Sequence, residues 1–479
     1  MKILILNPPR VDNFPVVREE RYEHKDVGSV YPPLSLLYTA AFLEKAEYKP
    51  ILIDANGFDI PENEVYSEID KIKPDVIITR CGFDTQKEDL KFLKYAKEKF
   101  NSITILRNKI IGDVDWLKKD LLLKNKFIDI FLNYEPDSII VSLIKHIEKF
   151  GKDNLENVDG ISFIKDNELI TTKPAKIIEN LDELPFPAYH LLKDLSVYHT
   201  GVLNPPFATV ITSRGCPFGC SFCAYARMGF RVRSPENIVQ ELKWLKSEFK
   251  IKSFLFFDDL VGLKKEHFEN VCKLMIEANL NLKWSACTRA NLLTDEMVKL
   301  MKKAGCIEIP IGIESGSEKI LKLVNKGITL DDIRKAAKIL HKNKMLFYGM
   351  VIIGLPGETK ETIKETLKFI KEIDPFYTQF CFATPFPNTE IYKYYKERNL
   401  LLTEDWSKYT PISNYPVIRT EELTAEDLIN LRNYVYRKLV LRPLYLLKKI
   451  KIFDWRWNIE GFIKILGVIW RILKRKAVR

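Results

Sequence analysis

Apolar residues fall along this chain in two successive patterns. Up to about residue 195, short continuous runs of Ile, Leu and Val alternate with helix-period segments such as LSLLYTAAFLEKA (34–46). The runs are KILILNPP (2–9), KPILIDA (49–55), KPDVIITR (73–80), SITILRN (102–108) and FIDIFLN (127–133). Such alternation predicts a doubly wound parallel sheet with ligands at the carboxyl edge of its strands. Farther on, strand-like runs recur at ATVITS (208–213), SFLFFDD (253–259), LKWSACTR (282–289), IEIPIGIES (307–315), FYGMVIIGLPG (347–357) and YTQFCFATPF (377–386). Helical patterns fill the gaps. SPENIVQELKWLKSEF (234–249) opens with Ser234 as N-cap and Pro235 at the first helical position. LTDEMVKLMKKAG (293–305) and TLDDIRKAAKILHKNK (329–344) open on Thr followed by acids, and the first closes on Gly305.

Six strand–helix repeats in this stretch predict an incomplete parallel barrel whose active site lies at the carboxyl ends of its strands. The fold class expected is therefore α/β: a doubly wound, Rossmann-like parallel-sheet domain, a partial (β/α)6 TIM-type barrel, and a basic α-helical C-terminal tail. The boundaries expected are 1–150, a linking segment over 151–200, the barrel over 201–400 and a helical region over 401–479. A length of 479 residues, 46% hydrophobic and 29% charged, suits such a chain, and no low-complexity tract or short repeat interrupts it.

The net charge of +11 is a property of the tail. Residues 432–479 hold 14 Lys or Arg against Asp454 and Glu460, which leaves the rest of the chain close to neutral. In IEGFIKILGVIWRILKRK (459–476), Glu460, Gly461, Lys464, Gly467, Arg471, Lys474 and Arg475 form one helical stripe, with apolar residues covering the remainder. Only Ile465 to Trp470 separate Lys464 from Arg471, far below the ~20 apolar residues that span a bilayer. The pattern predicts an interfacial helix, with Trp455, Trp457 and Trp470 at headgroup depth and the basic stripe toward anionic lipid. RKLVLRPLYLLKKIKIF (437–453) has the same composition. Packing on the barrel is the second reading. Nucleic acid is not an expected partner, since no RNA-binding module is recognisable and the aromatic residues lie on the apolar face.

Eight cysteines are present, and three of them crowd into RGCPFGCSFCAYARMGF (214–230): Cys216, Cys220 and Cys223. The other five, Cys81, Cys272, Cys287, Cys306 and Cys381, are scattered singly through mostly apolar surroundings and read as small buried residues rather than a disulfide framework. With an N-terminus, MKILILNPP, that shows no small-residue cleavage site, this predicts a reducing, cytoplasmic setting. Cys-x3-Cys-x2-Cys converges on a soft metal centre. Zinc prefers a fourth protein ligand, and the next histidine is as far as His267; a [4Fe–4S] cluster on three thiolates leaves one iron open, and the spacing favours it. Polar residues gather at the predicted strand ends: Asp258 and Asp259 after the second, Arg289 after the third, Glu314 and Ser315 after the fourth, and the turn that begins with Gly354 after the fifth.

The cysteine spacing, with the aromatic Phe222 before the last cysteine, resembles the radical S-adenosylmethionine (SAM) enzymes. GIESGSEKILKLVNKGIT (312–329), GLPGET (354–359) and TPFPNTEIY (384–392) resemble the subfamily that carries a B12 (cobalamin)-binding-like N-terminal domain. NPP near the start, YPPLSLLYTAAFLE, and the exit segment within 158–192 are similar to that domain, so the likeness runs to about residue 410. The resemblance implies that Cys216, Cys220 and Cys223 hold the cluster and that its open iron binds SAM. Asp258 and Asp259 would stand near the methionyl amino group, Arg289 near the carboxylate and Glu314 near the ribose; Phe222, Ser315 and Gly354 complete the implied cofactor-binding set. Tyr225 reads as an aromatic wall for the cofactor, or else a radical relay.

The corrinoid motif Asp-x-His-x-x-Gly is absent; the nearest segment is YEHKDVG (22–28), where His24 reads as a solvated loop residue. ILRNKIIGD (105–113) replaces a glycine pair, and Tyr134-Glu135 replaces Gly-Glu, which together predict altered corrinoid contacts. The function implied is cleavage of SAM to a 5′-deoxyadenosyl radical and cobalamin-dependent methylation of an unactivated carbon. A hydrophobic or lipid-like substrate and a flavodoxin- or ferredoxin-type electron donor are expected. Radical cyclisation or carbon–carbon bond formation on a lipid or tetrapyrrole-like substrate without methyl transfer, and a non-catalytic metal-stabilised scaffold, are the alternatives.

Overall fold

The structure is a computed structural model and describes residues 1–19, 24–25, 28–133, 135 and 139–440. The N-terminal parallel strands are Ile3–Asn7, Ile51–Asp54, Val76–Arg80, Ile103–Arg107 and Ile130–Leu132. They lie in the order second–first–third–fourth–fifth. Strand order reverses between the first and third, and in such sheets that switch point opens a crevice at the carboxyl ends.

Both faces of this sheet are covered, which is why its strands read as unbroken apolar runs. Ile3, Ile5, Val76, Ile78, Ile105 and Ile130 point to one core with the helices Leu34–Lys45 and Ile140–Phe150. Leu4, Leu6, Ile77, Leu106 and Phe131 point to another, with Val65, Ile69, Leu93 and Ala96 from two further helices. This second core continues without a break into the barrel, through Phe254, Trp284 and Ile309.

Residues 151–200, expected only as a linking segment, contribute structure of their own. Ile161–Lys165 and Glu168–Thr171 form an antiparallel hairpin that extends the N-terminal sheet. Its two-residue turn places Asp166 and Asn167 at φ 51 and 62, the left-handed pair that tight hairpins require. The segment then stitches the halves of the molecule together. Tyr198 Oη donates to Asp54 Oδ2 at 2.6 Å, and Tyr189 Oη donates to the Thr209 carbonyl at 2.7 Å.

The six barrel strands, Phe207–Val210, Ser253–Phe256, Lys283–Ala286, Cys306–Glu314, Leu346–Ile353 and Tyr377–Phe382, pair in sequence order and all in parallel. The helices between them are capped as expected: Ser234 accepts from Asn237 N, Thr294 from Met297 N, and Thr329 forms a reciprocal box with Asp332. The open edge at the sixth strand is covered by the helix Ala425–Val440, where Tyr436 Oη accepts from Phe380 N at 3.0 Å and the Arg432 guanidinium lies 4.1 Å from the Phe382 ring centre. Covering an edge removes a row of exposed main-chain groups. Among the described residues no helix is long and apolar enough to cross a membrane. The predicted interfacial helix over 459–476, and residues 441–453 of its companion, lie outside the described residues.

Candidate active site

The cysteine loop is closed by a short hairpin, Ser213–Arg214 against Arg231–Val232. Gly215 begins the loop at φ +89, and a Cβ there would stand 2.0 Å from the Gly229 carbonyl oxygen, so the neck needs glycine. Inside the loop the main chain bonds to itself: Met228 N to Cys216 O at 2.9 Å, Arg227 N to Phe218 O at 2.9 Å and Cys223 N to Cys220 O at 3.0 Å. From outside, Ser221 N donates to Val324 O at 3.0 Å, Asn325 Nδ2 to Gly219 O at 2.9 Å, and Asn388 Nδ2 to Ala224 O at 3.1 Å. Main-chain bonds from within and from neighbouring segments thus hold the loop in shape.

Cys220 is buried, while Cys216 and Cys223 are half-buried. Arg289 Nη1 lies 3.6 Å from Cys220 Sγ, and Tyr225 N donates to Cys223 Sγ at 3.4 Å. A guanidinium and an amide are thus directed at two of the three sulfurs. Among the described residues no three His, Cys, Asp or Glu are placed to share a single metal ion; a cubane cluster asks each thiolate to reach a different iron. The three-cysteine loop fits such a cluster. The scattered cysteines Cys81, Cys272, Cys287 and Cys306 are buried, as expected, and Cys381 half-buried.

Arg289 also lies flat against Phe218, 3.7 Å from the ring centre, and its Nη2 donates to the Lys326 carbonyl. Lys326 Nζ in turn bonds Glu314 Oε1 at 2.6 Å and stands 5.8 Å from the Phe222 ring. Five residues from four segments, Cys220, Phe222, Arg289, Glu314 and Lys326, therefore form one contiguous group at the barrel mouth. Lys326 was missed from the sequence, although it lies in the quoted stretch GIESGSEKILKLVNKGIT; its pairing with Glu314 across twelve positions is a product of the loop.

Asp258 and Asp259 serve the same loop from below. One carboxylate oxygen of Asp258 accepts from Thr212 N (2.9 Å), Thr212 Oγ1 (2.8 Å), Ser213 Oγ (2.7 Å) and Ser213 N. Burial nevertheless pushes its pKa up to about 7. Asp259 Oδ2 accepts from Gly215 N at 3.0 Å. Ser315 and Gly354 are set apart from the cysteines. Ser315 Oγ meets Thr366 Oγ1 at 3.3 Å and accepts from Ser317 N. Gly354, at φ +88, donates its N–H to Glu358 and accepts from Tyr395 Oη.

The carboxyl edge of the N-terminal sheet faces this mouth. Lys109, after the fourth strand, bonds Asp113 at 2.9 Å and stands 5.5 Å from the Tyr225 ring centre. Asn388 Nδ2 reaches Asp113 at 3.1 Å while also bonding Ala224 O. Glu135, after the fifth strand, accepts from Arg214 at 3.0 Å. Ile110 and Ile111, the bulky residues of ILRNKIIGD, are buried in the core, and Asn108 caps that turn by accepting from Ile111 N. Their side chains thus occupy core rather than crevice. His24 falls in a two-residue strand paired with Val17, whereas Tyr22 and Tyr134 lie outside the described residues.

Comparison with known proteins agrees with this geometry. Residues 210–370 match the Radical SAM superfamily. The chain is 32% identical to an uncharacterized methyltransferase of Pyrococcus horikoshii, over 94% of this chain and 95% of that one. It is 25% identical to the anaerobic magnesium-protoporphyrin IX monomethyl ester cyclase of Rubrivivax gelatinosus, over 88% of this chain and 76% of that one. Among solved structures, the cobalamin-dependent SAM radical enzyme OxsB, with aqua-cobalamin and SAM bound, superposes with a TM-score of 0.72 at 17% identity, covering 98% of this chain and 70% of that one. The scaffold alternative is thereby overturned. The chain belongs to the radical SAM enzymes that carry a cobalamin-binding-like domain ahead of the barrel.

Proposed function

We propose that the protein is a cobalamin-dependent radical SAM methyltransferase that methylates an unactivated carbon of a hydrophobic or lipid-like molecule. The observation that carries this reading is the apposition just described: the ligand edge of the N-terminal sheet lies directly over the cysteine loop, across Lys109 and Tyr225. Two cofactors held in those places would share one cavity. The relative from Pyrococcus horikoshii bears a methyltransferase name, and OxsB binds cobalamin with SAM.

When bound, the cluster would supply the electron that cleaves SAM, and cobalamin would supply the methyl group. This chain's own residues bind and orient. Cys216, Cys220 and Cys223 hold the cluster. Arg289, over the Phe218 ring, would meet the carboxylate of SAM, and Glu314, paired with Lys326, would accept from its ribose hydroxyls. Asp258 and Asp259 hold the strand end and loop neck that present the methionyl subsite, while Phe222 walls the cofactor and the turn at Gly354 closes the fifth strand behind it. Ser315 supports the Glu314 loop from behind. Tyr225 walls the boundary between the two halves.

The basic tail would seat the enzyme peripherally on the cytoplasmic membrane face, where a lipid-like substrate is extracted, and a flavodoxin- or ferredoxin-type protein would deliver the electron. Cyclisation without methyl transfer is the second reading, supported by the likeness to the Rubrivivax gelatinosus cyclase. Anaerobic reconstitution tests both. Release of 5′-deoxyadenosine from SAM with about one corrinoid per chain supports methyl transfer; release without corrinoid favours cyclisation. No release from iron-loaded protein would refute the enzymatic reading. Co-sedimentation with anionic vesicles, lost on removal of residues 441–479, tests the membrane assignment.

A further inference from the structure

The hairpin that closes the cysteine loop is only two residues long on each side, and one of its two cross-strand pairs sets Arg214 opposite Arg231. Like charges directly opposite destabilise an antiparallel pair. Left to itself, this neck would be pushed apart. Both guanidiniums instead converge on Glu135, which follows the fifth strand of the N-terminal sheet. Its Oε2 accepts from Arg214 Nη1 at 3.0 Å and Arg231 Nη1 at 3.2 Å, and its Oε1 accepts from Arg231 Nη2. The three side chains are 16%, 17% and 9% exposed, respectively.

Burial by itself would raise the Glu135 pKa, but the charges and bonds of Arg214 and Arg231 outweigh it and hold the carboxyl below its usual range. The group is an anion throughout the working pH range. Arg214 is also packed against the Tyr38 ring at 5.4 Å, and Arg231 donates to the Ile178 carbonyl, so neither arginine is free to swing away and relieve the repulsion.

We propose that Glu135 is a positioning residue that closes the cluster loop from the other domain: its carboxylate neutralises the arginine pair at the neck and so fixes the spacing of Cys216, Cys220 and Cys223. Closure of the loop is thereby conditional on a docked N-terminal domain. The inference concerns the polypeptide and does not depend on methyl transfer.

Hydrogen–deuterium exchange on iron-free, full-length protein tests it. In Glu135→Gln, amides of 215–230 exchange about tenfold faster or more while those of the N-terminal sheet are unchanged, and after reconstitution the cluster is lost faster to a chelator. The decisive comparison is the double variant Glu135→Gln with Arg231→Gln. With one of the facing charges removed the repulsion is gone, and loop exchange returns to within about threefold of the parent. A packing role for Glu135 predicts the reverse, with the double variant looser than the single. The proposal is overturned if Glu135→Gln exchanges within about twofold of the parent, if exchange rises equally in sheet and loop, or if the second substitution brings no recovery.

Discussion

Glu358 offers a test of how burial shapes this protein. It is 2% exposed, accepts from Gly354 N and supports the turn that ends the fifth barrel strand, while its own carbonyl accepts from Thr420 Oγ1 at 3.2 Å. Loss of solvent outweighs the N–H bonds from Gly354 and Leu355 and raises its carboxyl from 4.5 to about 8. The sign follows from proton counts. Between those two values the native protein holds a proton that the unfolded chain has released, so stability is greatest below the unfolded value and falls as pH rises, levelling off above the folded one. Each pH unit in that interval removes about 1.4 kcal/mol, less near its ends, and from about pH 5.5 to pH 7.5 Glu358 alone removes about 2 to 3 kcal/mol. Glu358→Gln keeps an oxygen to accept from Gly354 N but has no proton to lose. Pulse proteolysis in urea across this pH series should therefore show the variant gaining about 2 to 3 kcal/mol on the parent as pH rises. Asp258 and Glu308, each pushed up to about 7, titrate in both proteins and cancel in the difference. Parallel stability curves for parent and variant would refute the reasoning.

The other outcomes are simpler. Cys216→Ala, Cys220→Ala and Cys223→Ala each leave a folded chain, by circular dichroism and size exclusion, that binds no cluster and releases deoxyadenosine only at background; unfolding would contradict the main-chain bonding of the loop. Gly215→Ala forces a Cβ against the Gly229 carbonyl at a left-handed φ, loosens the hairpin by about 1 to 3 kcal/mol and lowers iron retention after desalting, whereas full retention would show that the neck tolerates it. Arg289→Lys loses the flat contact with Phe218 and the fork that reaches both Cys220 and Lys326; KM for SAM rises about tenfold with iron content unchanged, and an unaltered KM would remove Arg289 from the carboxylate subsite.

Much of this architecture is legible in the sequence because local and global signals coincide. Each barrel strand is a compact apolar run, and helices after it open on Ser234, Thr294 or Thr329, whose side chains cap them in the structure. The cysteine loop is legible because cluster chemistry ties three thiols to a short spacing. What escapes is what depends on distant segments. Glu135 and Arg214 are 79 positions apart, Tyr198 and Asp54 are 144 apart, and no periodicity links them. The hairpin around Asp166 and Asn167 is different: its alternating strands and two turn residues are present in ISFIKDNELIT, a local signal that a likeness to a family segment does not convey. The docking of the helix Ala425–Val440 escaped, within a region expected to be helical, because the edge it covers exists only once six strands have been laid side by side.

The stitching of residues 151–200 across both halves bears on turnover. Tyr198 is bonded into the N-terminal sheet, Tyr189 into the first barrel strand, and a single apolar core runs beneath both. Swinging the halves of such a molecule apart would break both bonds and open the shared core. Exchange of cofactor and product would therefore cost least through the loops that rim the mouth, with the two halves left joined.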